Sequence, residues 1–251
     1  MTSSVAWQMT LLHARELVRD KRQFSFVVIF PLAIMAMFLV IAELLPDTSA
    51  ESRQMIVPMA LYLSVTSVAF SATAAPVADL RKMGTLRLLG TTPLGRTRLI
   101  LTHMPVRLVL AFLQVAVLLV AGLVLGLVGA DALMPLLALA ALGLGMFGAL
   151  GYLLGGVLPS AESASNVGTL IQLSVFFLSG LVFPLDLLPS AVASVLLYSP
   201  TTFFADLMVA QLPAGDPAHP ALLSVAVVVA ATAALTALAV ATFKWDQGEN
   251  G

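Results

Sequence analysis

The chain has 251 residues, 60% of them hydrophobic and only 10% charged, with a formal net charge of −1. Soluble domains are about one quarter charged, so this composition excludes an ordinary soluble globule and points to an integral membrane protein. No cysteine is present, which excludes disulfides and thiolate metal sites, and His13, His103 and His219 stand apart without ligand-like spacing.

The opening stretch lacks the early basic region of a signal peptide. Trp7, Leu11, Ala14 and Val18 recur at helical spacing beside Arg15, Arg19, Lys21 and Arg22, which predicts an interfacial helix over 1–23 with its apolar face in lipid. A plain basic flank to the first span accounts for the same residues and is compatible with it. Crossing about 30 Å of hydrocarbon takes roughly 20 apolar residues in a helix. Six segments meet that need: Phe24–Leu45, Met55–Ala78, Met104–Val128, Leu133–Leu158, Val167–Phe183 and Pro220–Phe243. The fifth is short and borrows residues at its ends. The connections are brief and leave no room for a soluble domain.

The second span is rich in hydroxyls, with Ser64, Thr66, Ser67, Ser71 and Thr73; Gln114 and Gln172 lie in the third and fifth. Hydrogen bonding between helices accounts for such residues. Ser67, Ser71, Gln114 and Gln172 are also the candidates for a substrate path. Gly122/Gly126 and Gly151/Gly155 are paired small residues that let helices approach closely, within one subunit or across a dimer seam.

Between spans two and three, residues 79–103 hold five of the 12 Lys and Arg: Arg81, Lys82, Arg87, Arg96 and Arg98. An Arg at mid-bilayer costs about 2.5–3.5 kcal/mol, so this stretch belongs in water. Leu80–Leu89 reads as a short helix, Gly90-Thr91 as a break, and Thr92-Pro93 as the N-cap and first position of a second helix. After the fifth span, Leu187–Ala205 is uncharged but cut by Pro189 and Pro200, which predicts a re-entrant hairpin over 184–212 rather than a seventh span. The expected fold is therefore all-α and membrane-embedded, one domain over 1–251 with six spans. With both termini inside, every Lys and Arg except Arg53 lies at the cytoplasmic side, as the positive-inside rule requires. No intramembrane charge offers a proton relay, and no histidine lies deep enough to serve a serine nucleophile such as Ser179.

"GTLRLLGTTPLGRTRLI" (Gly84–Ile100) resembles the cytoplasmic loop of ABC-2-type transporter permeases, the membrane subunits of bacterial ABC exporters. "FFLSGLVFPLDLLPSAVASVLLYSPTTFFADLM" (Phe176–Met208) is similar to the same family's pattern near its outer hairpin. One departure is Lys82, where many members carry an acid two positions before the Gly-Thr pair. The resemblance implies a non-enzymatic permease in the cell membrane, pairing as a homo- or heterodimer, each half resting on an ATP-binding cassette subunit. Arg81, Lys82, Gly84, Thr85, Leu86, Arg87 and Leu89 would couple to that subunit, with Leu86 and Leu89 as its apolar contacts. The chain has no G-x-x-x-x-G-K-[ST], so ATP and Mg²⁺ are expected on the partner and no cofactor on this chain. The resemblance extends to hydrophobic drugs, natural products, lipids and lipid-linked glycans as cargo; the uncharged spans favour an apolar or amphipathic one. No nucleic-acid partner is expected. A membrane scaffold or assembly factor, or a secondary transporter, are the alternative readings.

Overall fold

The computed structural model describes residues 21–44, 53–82, 96–183, 185–213 and 215–242. They are mostly helical, with no strand among them. The helices are α1 (Lys21–Leu44), α2 (Ile56–Lys82), α3 (Arg96–Val124), α4 (Leu133–Val157), α5 (Ala161–Phe177), α6 (Ser190–Leu197), α7 (Pro200–Val209) and α8 (Ala221–Thr242). Among the described residues, three stretches are long and apolar enough to cross a membrane: Ile56–Asp79, Ala130–Val157 and Ala221–Thr242. Leu32–Leu44 in α1 and Ala111–Val124 in α3 are shorter apolar helices, and α6 and α7 make a fourth long apolar stretch only across a 74° bend.

α2 is the hub. It packs against α1, α3, α4, α5 and α7. Val57, Ala60, Leu61, Tyr62 and Val65 are completely buried along it. A helix apolar on all sides is expected in such a position. α8 is the opposite case: it buries only Ser224, Val228 and Ala239, and Leu222, Val229 and Val240 are exposed. Its uncharged exterior suits contact with hydrocarbon chains.

Glycines set the closest approaches. A Cβ on Gly155 would lie 2.5 Å from the Ala74 carbonyl oxygen and 2.8 Å from Val77 Cβ, and one on Gly151 would overlap the Thr73 hydroxyl. The Gly151/Gly155 pair is thus used inside the subunit, to seat α4 on α2. Gly122 faces Val57 in the same way, its Cβ position 3.0 Å from a Val57 methyl. Gly126 has another task. Its φ of 68° ends α3, with Gly126 N–H donating to the Leu123 carbonyl at 3.0 Å and Leu127 N–H to Gly122 at 2.9 Å. That pair of bonds is a Schellman stop.

The core between α2, α4, α5 and α7 is aromatic. Tyr62 lies 5.6 Å from Phe147, 6.0 Å from Phe176 and 5.5 Å from Phe204, ring centre to ring centre. Phe147 and Phe204 meet edge to face at 5.6 Å. Phe204 can enter this deeply because Gly143 has no side chain: a Cβ there would lie 2.7 Å from Phe204 Cε2.

Two predicted segments shift, for local reasons. α3 begins at Arg96, eight residues before the predicted third span, because its amphipathic start continues without a break into the apolar run. α5 covers Ala161–Phe177 where Val167–Phe183 is predicted. Ser160 caps it, its hydroxyl accepting the Ser163 N–H at 3.1 Å, so polar residues fill the first two turns. The left-handed Gly180 (φ 88°) lies in the turn after α5, three residues past its end. In the hairpin region, Pro189 precedes α6 and Pro200 opens α7, with the Ser199 hydroxyl capping α7 and Thr202 Oγ1 donating to the Leu196 carbonyl at 2.8 Å. Leu80–Lys82 form the last turn of α2. The predicted break at Gly90-Thr91, the Thr92-Pro93 cap and nearly all of the predicted interfacial helix lie outside the described residues.

Candidate functional site

α2 ends in two cations, Arg81 and Lys82, where the helix dipole favours positive charge. Their side chains part. Lys82 is exposed, whereas Arg81 is only 4% exposed. Its Nη1 donates to the Gly155 carbonyl at 3.1 Å and the Leu158 carbonyl at 3.0 Å. Gly155 O belongs to the final turn of α4 and has no partner within the helix, so the guanidinium meets a standing need of that helix end. Burial lowers the Arg81 pKa from its ordinary value, and the group stays charged. Gly84, Thr85, Leu86, Arg87 and Leu89 lie outside the described residues.

The candidate path residues whose side chains are described differ in exposure. Gln172, on α5, is half-buried, with Nε2 donating to the Leu63 carbonyl of α2 at 3.5 Å. Ser67, one turn beyond Leu63, is half-buried too. Ser71 lies on α2 with its side chain outside the described ones. Gln114 is 2% exposed and enclosed by its own subunit. On α2, next to Leu63, the buried Ser64 hydroxyl has no hydrogen-bond partner among the described residues.

The exposed side of α5, which the sequence reading passes over, mixes polar residues with Leu170, Leu173 and Phe177. Glu162, Ser165, Asn166, Thr169 and Ser174 are exposed. Thr169 Oγ1 returns to the Ser165 carbonyl at 2.9 Å and Ser174 Oγ to Leu170 at 2.8 Å, so these hydroxyls are satisfied within the helix. Asn166 and Glu162 are not groups that hydrocarbon accommodates, so the first turns of α5 call for water or another protein surface.

The second missed feature joins α7 to the segment before α8. Asp206 Oδ2 lies 2.6 Å from His219 Nδ1, and Asp206 Oδ1 accepts the Ala218 N–H at 3.2 Å. Both side chains are nearly enclosed. The imidazole packs on Phe203 with ring centres 4.1 Å apart, and Tyr198 lies 6.1 Å away. No periodicity announces this pair, because the chain turns between its members. Among the described residues, no group of three or more His, Cys, Asp or Glu is arranged to hold a metal.

Residues 45–241 match the model of a family described as ABC-2 family transporter protein. No curated protein matches the chain. The matched stretch takes in α2 through all but the last residue of α8, and with them the Arg81 end and the exposed side of α5. The chain belongs to the ABC-2 family of transporter proteins.

Proposed function

We propose that the chain is the permease subunit of an ATP-driven exporter. It lies in the cell membrane with six spans and both termini in the cytoplasm, paired with a second permease subunit. Each half rests on a separate ATP-binding subunit that holds ATP and Mg²⁺. The observation that carries this reading is the family match over residues 45–241 in a chain without a phosphate-cradling G-x-x-x-x-G-K-[ST]. The clustering of Lys and Arg at one side supports the orientation. Lys82, Gly84, Thr85, Leu86, Arg87 and Leu89 form the contact with the ATP-binding subunit, and Arg81 anchors that element.

Cargo passes beside α2 and α5. Ser67, Ser71 and Gln172 contribute from the predicted set, joined by Asn166 and Thr169 on the exposed side of α5; Gln114 is enclosed within the subunit. Hydroxyls already bonded to their own helix offer weak, interchangeable contacts, which fits an apolar or amphipathic cargo. Residues 184–212 form the outer re-entrant hairpin, and the 74° bend between α6 and α7 supports that reading.

Isolation of the tagged chain from its native membrane in mild detergent tests this. The expected result is a stable complex with a chain bearing G-x-x-x-x-G-K-[ST] and vanadate-sensitive ATP hydrolysis. Permease recovered alone and without ATP hydrolysis, from native membranes cross-linked before solubilisation, would refute it.

A further inference from the structure

Three features converge on the last turns of α2. Pro76 has no N–H, so the bond to the Ala72 carbonyl is missing, and the Thr73 hydroxyl takes the Ala69 carbonyl. The hydrogen-bond ladder of α2 is therefore one bond short at Pro76. On either side of Pro76, Gly155 brings α4 to within direct contact of Ala74 and Val77. Then Arg81 reaches across to two carbonyls, Gly155 and Leu158. Leu158 is followed by Pro159 and by Ser160, the cap of α5.

We infer that Arg81 is a positioning residue, a strut that makes the end of α2 and the α4–α5 turn move as one body. This departs from the role the family resemblance implies for it, direct contact with the ATP-binding subunit. A guanidinium turned inward and 4% exposed cannot dock on a partner, while its exposed neighbour Lys82 can. The strut lies beyond a weakened stretch of helix, so the segment from Val77 to Lys82 can tilt without disturbing the core around Tyr62. Its load goes to α5, the helix that carries Asn166 and Thr169 on its exposed face. A cation suits the task because both acceptors are carbonyls at a helix C-terminal end, where partial negative charge collects. Charge-assisted bonds add a fixed geometry that an apolar contact lacks. The transmission of ATP-driven motion rests on the proposed function; the mechanical tie does not.

The absence of native cysteine allows clean labelling. Spin labels are placed at Lys82→Cys and Glu162→Cys, both exposed, in the full chain within nanodiscs of phosphatidylethanolamine and phosphatidylglycerol. A control pair at Asp131→Cys and Asp216→Cys, also exposed, reports the other end of the molecule. With Arg81 intact, the 82–162 distance distribution should be narrow. Arg81→Ala should widen it at least twofold and leave 131–216 unchanged. If Arg81→Ala disturbs both pairs, Arg81→Lys, which keeps the charge, decides by the same criterion. An 82–162 distribution as narrow in the folded variant as in the parent overturns the inference. With the ATP-binding subunit and ATP–vanadate added, labels at Asp79→Cys, in the last turns of α2 but not among the docking residues, and at 162 should shift together relative to 131, and Arg81→Lys should shift 79 alone. No nucleotide-driven shift in the parent would refute the proposed function and leave the tie standing on the first measurement; equal shifts in both chains would refute the strut.

Discussion

Truncating Phe204 should loosen the wedge that holds α7 in the core. The ring is fully buried and lies 5.5 Å from Tyr62 and 5.6 Å from Phe147, in the notch that Gly143 leaves open. In a soluble core, Phe→Ala costs about 3–5 kcal/mol. Lipid chains are as apolar as the ring, so the transfer part shrinks here and the packing part remains. Two aromatic pairs at about 0.5–1.5 kcal/mol each, plus about 1 kcal/mol for an unfilled cavity, give about 2–4 kcal/mol for Phe204→Ala. The assay is unfolding by sodium dodecyl sulfate in mixed micelles, followed by far-ultraviolet circular dichroism. Gly143→Ala provides the other side of a cycle. Alone it overpacks the site and should cost about 1–3 kcal/mol. With Phe204 already truncated, the new methyl enters vacated space, although Val65 Cγ1 still lies 2.9 Å from the Cβ position. The coupling should be at least about 1 kcal/mol. A loss below about 1 kcal/mol for Phe204→Ala, or strictly additive effects, would refute the wedge.

Four further outcomes follow from the same structure. His219→Ala leaves the Asp206 carboxylate nearly enclosed without its closest partner; cleavage by added protease between Gln211 and Pro220 should accelerate about tenfold, equivalent to about 1.4 kcal/mol of local stability, and an unchanged rate would contradict the tie. Gly155→Val should destabilise by about 1–3 kcal/mol in the same unfolding assay, whereas Gly148→Ala, where a Cβ meets nothing within 4 Å, should change stability by no more than about 0.5 kcal/mol. The double substitution Leu86→Ser and Leu89→Ser keeps every charge, so insertion should survive while stimulation of the partner's ATP hydrolysis falls; full stimulation would reduce the loop to an electrostatic anchor. Single cysteines at positions 48 and 96 test orientation: an impermeant thiol reagent should label 48 and spare 96 in intact cells, and the reverse would invert the topology.

The apolar runs were legible because hydrocarbon imposes a coarse rule: length and the absence of charge suffice to place Ile56–Asp79, Ala130–Val157 and Ala221–Thr242. The same rule misplaces α5. Its first turns hold Glu162, Ser163, Ser165 and Asn166, and a reading by hydropathy trims them, although Ser160 followed by Glu162 and Ser163 is a capping signal visible in the chain. Arg81 illustrates a different limit. Its place in a basic cluster is plain in the sequence, but its inward turn depends on the orphan carbonyls of a helix end 74 residues away. The Gly143–Phe204 notch and the Asp206–His219 pair depend likewise on tertiary approach. Pro189 and Pro200, by contrast, act locally, and the chain breaks where they stand.

The central claim is that residues 79–103 meet a separate ATP-binding subunit. A cysteine at position 89, carrying a benzophenone and irradiated in native membranes, tests this directly. The account predicts one dominant cross-link, to a chain containing G-x-x-x-x-G-K-[ST], which strengthens or weakens with ATP–vanadate. Cross-links confined to lipid or to a second copy of this chain, in membranes that contain the ATP-binding subunit, would contradict it.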